Sequence, residues 1–96
     1  MKSMLLLTNQ SCVSYAGAVD IDTHKYIVHS GYRLGASHID VYDMLVCSDD
    51  SMCDVNMYKL PEPVMIDAKD VMHAYDIDDS AVAKLSEIYN YRREQV

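Results

Sequence analysis

The sequence predicts a small α+β domain: an antiparallel sheet of three to five strands with two or three helices, the C-terminal helical pair packed on the sheet. Three observations carry this expectation. The first third alternates side chains at period two, as strands half-buried on a sheet do. The last third carries apolar residues at helical spacing behind aspartates suited to helix starts. Between them, Pro61 and Pro63 around Glu62 exclude a helix and push the preceding residues to extended backbone.

Taken in order, "SMLLLTN" (3–9) is a short apolar run that reads as a buried strand. "CVSYAGAVDI" (12–21) sets Val13, Tyr15, Gly17, Val19 and Ile21 on one face and Cys12, Ser14, Ala16, Ala18 and Asp20 on the other. "DTH" (22–24) makes a turn, and "KYIVHSGYRL" (25–34) returns as a third strand. Gly17 and Gly31 inside these strands signal bulges or a close backbone approach. Ser37 followed by Asp40 resembles a capping box, with Ile39, Tyr42, Leu45 and Val46 on one helical face. The helical reading of 36–47 is preferred, with strand left open by Ile39, Val41 and Tyr42. "VNMYKL" (55–60) reads as a strand and "VMI" (64–66) as a short extended piece. Asp67 caps an expected helix over 68–75, and Asp78 or Asp79 a longer one over about 80–93 with a stripe of Val82, Leu85, Ile88 and Tyr89. Arg92 and Arg93 fall in its last turn, where positive charge complements the helix dipole.

At 96 residues this is one compact domain, 1–96, with half its residues apolar. Its expected stability is about 5 to 10 kcal/mol. Seven Met and eight Tyr, with neither Phe nor Trp, predict a soft core with tyrosines at its margins. Fifteen Asp and Glu against eight Lys and Arg give a net charge of -7. That field repels phosphates and acidic membranes and favours a basic partner surface. Three cysteines, Cys12, Cys47 and Cys53, without a C-x-x-C pair, fit reduced thiols in a cytoplasmic setting. The apolar run Met4 to Leu7 is too short for a signal-peptide core or a membrane span.

No constellation points to catalysis, a metal or a cofactor. His24 and His29, five apart on one strand, point to opposite faces, and no zinc spacing occurs. "DVYDMLVCSDDS" and "DIDDS" lack the glycine and glutamate of the twelve-residue calcium loop. Nucleophile-elbow, phosphate-loop and dinucleotide fingerprints are all missing. The expectation is a protein that is not an enzyme.

"VMHAYDIDDSAVAKL" (71–85) resembles the general helix-turn-helix pattern, with Val71, Tyr75, Ile77, Val82 and Leu85 as its apolar positions. This implies a DNA-binding regulator using residues 68–93. The charges oppose it. Asp76, Asp78, Asp79 and Glu87 against Lys84 leave residues 76–90 at -3, whereas groove reading begins by neutralising phosphates.

The favoured functional expectation is a small acidic non-enzymatic protein-binding module. It is pictured as a phage-type inhibitor that occludes a basic surface of a larger host protein in the host cytoplasm, a nucleic-acid-binding enzyme being one such target. Direct nucleic-acid binding and membrane association are disfavoured; a homodimer is compatible with the sequence. The expected contacts are Asp49, Asp50, Asp76, Asp78 and Asp79, with Tyr32, Tyr42, Tyr91 and Met52 as apolar anchors.

Overall fold

A computed structural model describes residues 1–47 and 55–94. Its elements in chain order are β1 (Lys2–Thr8), β2 (Ser14–Asp22), β3 (Lys25–Gly35), α1 (His38–Leu45), β4 (Asn56–Lys59), β5 (Val64–Asp67), β6 (Val71–Asp76) and α2 (Asp79–Glu94). The strand count corrects the expectation of three to five: six strands form one antiparallel sheet. The C-terminal helical pair is also corrected. Only Ala68–Asp70 turns, as a 3-10 helix with Asp67 at its N-cap, and 71–76 is strand. The first helix of the helix-turn-helix resemblance is therefore a β-strand. The physical reason is non-local. A helix as short as the expected 68–75 is too short to hold itself together, while pairing with β1 satisfies the backbone groups of one edge of the strand and seats Tyr75 on the core.

The sheet runs β4-β3-β2-β1-β6, and β5 pairs with the other half of β3. The long β3 thus holds β5 along Lys25–Val28 and β4 along Tyr32–Gly35. β5 and β6 lie at opposite edges, yet three residues join them. From Asp67 to Val71 the chain reaches at most about 14 Å. A flat sheet in the order β5-β3-β2-β1-β6 would hold those edges about 19 Å apart. The sheet must therefore curl. Two hydrogen bonds fix the closure: Ala68 N–H donates to the His24 carbonyl, and Asn9 N–H to that of Asp70, each at 2.8 Å. The curl follows from the β2–β3 ribbon, where Gly17 faces Gly31 and a bulge falls between Ala18 and Val19.

Curling gives the sheet two apolar faces. Inside the curl Met4, Leu6, Val19 and Val28 are buried, lined by Tyr15, Tyr26, Leu60, Ile66 and Val71. On the outer face Leu5, Leu7, Ala16, Tyr32 and Leu34 meet Val41, Met44 and Leu45 of α1 and Leu85 of α2. The expected α1 is present, with Ser37 as N-cap: its hydroxyl accepts from Asp40 N–H at 3.1 Å. α2 begins where Ile77 N–H donates to the Ser3 carbonyl at 3.0 Å. It crosses the sheet to the far side, where Tyr89 packs on Tyr32 and Arg92 donates to the Val55 carbonyl.

Candidate partner-binding site

The candidate site is the seam between α1 and β6, and the register of β6 builds it. Leu7 pairs with His73 and Leu5 with Tyr75, so His73 and Tyr75 stand on the helix side of the sheet. Tyr75 meets Tyr42 edge-on, ring centroids 4.9 Å apart, and lies 5.8 Å from the His73 ring. Two clefts follow this seam. One of about 200 Å³ is lined by Leu7, His38, Ile39, Tyr42 and Tyr75. The other, about 290 Å³, lies between the end of α1 and the start of α2 and is lined by the apolar Met44, Leu45, Val46, Ile77 and Ala81 and the polar Asp76, Asp78, Ser80 and Lys84.

Ile39 is 73% exposed and borders the first cleft beside Tyr42 and Tyr75. The expected helical face of Ile39, Tyr42, Leu45 and Val46 is corrected in part. The fully buried residues of α1 are Val41, Met44 and Leu45, which leaves Ile39 and Tyr42 on the groove. Periodicity alone could not separate these two adjacent stripes, because both recur at helical spacing.

The acidic corner closes the upper end of the seam. Asp76 ends β6 exposed, 3.7 Å from the Lys2 ammonium. Asp78 is exposed at the corner, and its carbonyl accepts from Ala81 N–H at 2.9 Å. Asp79 opens α2 and its carboxylate accepts from the Ser3 hydroxyl at 2.5 Å. Carboxylates at a helix start are held there by the dipole, so this corner keeps its charge in place at little cost.

The sequence-predicted contacts are thus partly brought together. Tyr42 and Asp78 line the two clefts of the seam, while Asp79 opens α2 on the Ser3 hydroxyl and the Asp76 carboxylate lies on the other face of β6, near Lys2. Tyr91 is exposed on α2. Tyr32 is 6% exposed and sits in the core against Tyr89, so as placed it packs the sheet and offers no surface anchor. Asp49, Asp50 and Met52 lie outside the described residues. Ile39, His38 and Tyr75 line the groove and are not among the sequence-predicted contacts, since a sequence pattern cannot tell an apolar residue in a groove from one in a core.

Histidines and cysteines do not gather. His29 Nε2 lies 3.5 Å from the Asp20 carboxylate, and His38 Nε2 lies 3.3 Å from the Val13 carbonyl. Cys12 and Cys47 are exposed free thiols. Among the described residues, no group of three or more His, Cys, Asp or Glu is placed to hold a metal ion. No helix among them is long and apolar enough to cross a membrane.

No family model, curated protein or solved structure matches this chain. The chemistry of the seam stands on its own geometry.

Proposed function

We propose that this protein is a small acidic non-enzymatic binding module, a phage-type inhibitor that covers a basic surface of a larger protein with the α1–β6 seam and its acidic corner. One observation carries the reading: Asp78 lines the same cleft as Met44, Leu45, Val46 and Ile77, with the Asp76 carboxylate next to it on the other face of β6. An apolar centre with a charged margin is the anatomy of a protein interface. The net charge of -7 selects a basic partner and speeds its approach. A nucleic-acid-binding enzyme presents such a surface, because it must itself neutralise phosphates. Covering that surface inhibits the enzyme by exclusion and needs no chemistry from the inhibitor.

The test is a pull-down from lysate at low and high salt, followed by titration of the captured partner. Salt-sensitive capture is expected, with affinity at least about tenfold weaker when Asp76, Asp78 and Asp79 are all changed to Lys. Unchanged affinity in that variant, or tight salt-sensitive binding to duplex DNA in a gel shift, would overturn the reading.

A further inference from the structure

Resting on that reading, we propose that the partner supplies an extended basic segment that pairs with the open edge of β6 as an added strand. Its alternate apolar side chains enter the α1–β6 groove.

The open edge follows from the ladder. Ile77 N–H donates to the Ser3 carbonyl, which makes Ser3 and Ile77 a hydrogen-bonded pair. Such pairs alternate in an antiparallel ladder, so Leu5–Tyr75 and Leu7–His73 are hydrogen-bonded in turn. Met4–Asp76 and Leu6–Ala74 are the intervening pairs. The N–H and C=O of Ala74 and Asp76 therefore point away from β1, towards the side on which β6 ends the sheet among the described residues.

The edges of the sheet are not alike. β4 has four residues, carries Lys59 and is followed by Pro61; β5 also has four and is preceded by Pro63. Lysine, proline and short length are the usual devices that stop a sheet edge from recruiting another strand. β6 has six residues, "VMHAYD", with neither Lys nor Pro. Met72 is 57% exposed on it. β6 has a register shift at its start, beside Met72, but from His73 to Asp76 the edge is regular and left open where the other two are blunted.

Charge and pleat then specify the occupant. Residues of an added strand opposite His73 and Tyr75 face the groove beside Tyr42, His38 and Ile39, and suit apolar side chains. Those opposite Ala74 and Asp76 face the other way, beside the Asp76 carboxylate, and suit Lys or Arg. The expected partner segment alternates apolar and basic residues. A second copy of this chain would bring its own Asp76 and a further net -7 to the same edge, which selects against self-pairing.

The probe is an acetylated peptide of alternating valine and lysine, about seven residues long to match one strand. Two control peptides are used: one N-methylated at alternate amides along the pairing edge, and a helical alanine–lysine peptide of equal charge. Binding is followed by amide NMR and hydrogen exchange on the whole chain. On adding the extended peptide, the Ala74 and Asp76 amides should gain protection. The N-methylated peptide should bind at least about tenfold more weakly, as expected when main-chain hydrogen bonds carry affinity. Ala74→Pro removes only an outward N–H, which an edge strand tolerates. It should likewise weaken the extended peptide about tenfold while the unfolding midpoint stays within about 5 °C.

Equal binding of the N-methylated peptide, or no protection at Ala74 and Asp76, overturns strand addition even if Ala74→Pro fails to fold. A concentration-dependent dimer that protects the same amides overturns it in favour of a second copy. Should both lysine peptides bind equally and lose affinity on reversal of Asp76, Asp78 and Asp79, strand addition falls and the acidic-module reading stands. Loss of that reading shows separately, as peptide or partner binding indifferent to those reversals.

Discussion

Gly17 and Gly31 are direct partners across β2 and β3, and a methyl group on either would fall inside the other strand's backbone. A Cβ on Gly17 would lie 2.1 Å from the Ser30 carbonyl oxygen and 2.6 Å from the Gly31 Cα. A Cβ on Gly31 would lie 2.2 Å from the Ala16 carbonyl oxygen. Both obstructions are backbone, which has no rotamer to give way. This pair lets the ribbon fold sharply enough for β5 and β6 to be joined by three residues. Gly17→Ala and Gly31→Ala should each destabilise by about 3 kcal/mol, the upper range for an overpacked site. Urea denaturation checks this; a loss under about 1 kcal/mol would show that the ribbon bends without the close approach.

Thr23 sits at φ 45° in the turn between β2 and β3. That left-handed region is strained for a β-branched residue and tolerated by asparagine. Thr23→Asn should stabilise the protein by about 1 kcal/mol. The hydroxyl it removes only donates to the exposed Asp22 carboxylate at 3.3 Å, so little is lost. A thermal midpoint that falls in this variant would rule out strain as the controlling effect.

These glycines and this turn lie where the sequence was most legible. A continuous apolar run located β1, period-two patterning located β2, and the turn at 22–24 announced β3, because each of these signals is local. Ser37 and Asp40 announced the start of α1, and the hydrogen bond between them is present. β6 was not legible, for a physical reason. Val71 and Tyr75 are four apart, a spacing that fits both a helix face and one face of a regular strand. A register shift between Leu7 and Thr8 then sends Val71 to the inner cluster and Tyr75 to the outer one. What makes 71–76 a strand is β1 alongside it, a partner more than sixty positions away. The acidic half of the site was visible in the charges of Asp76, Asp78 and Asp79. The apolar half was not, because which face of α1 meets the sheet depends on how α1 docks.

Ser14 is fully buried between Leu7 and Leu34, and its hydroxyl finds no partner among the described residues. A buried hydroxyl without a hydrogen bond loses its hydration and gains nothing in return. Ser14→Ala should raise stability by about 1 kcal/mol, measured by chemical denaturation. A loss of similar size would mean that the hydroxyl is satisfied after all.

Leu85 and Ile39 make the sharpest contrast between fold and site. Leu85 is fully buried, the one residue of α2 that is, and it joins α2 to Leu5, Leu34 and Val41 in the outer core. Leu85→Ala should cost about 3 kcal/mol by opening a cavity under the helix. Ile39 is equally apolar but stands on the groove rather than under it. Ile39→Ala should leave stability within about 0.5 kcal/mol, as exposed substitutions do. If the groove is the contact surface, the same change should weaken binding of the captured partner by about 1 to 2 kcal/mol. Paired measurements of urea midpoint and partner affinity separate the roles. Loss of stability in the Ile39→Ala variant would assign Ile39 to the core, and a change in neither quantity would remove the cleft between Ile39, Tyr42 and Tyr75 from the interface.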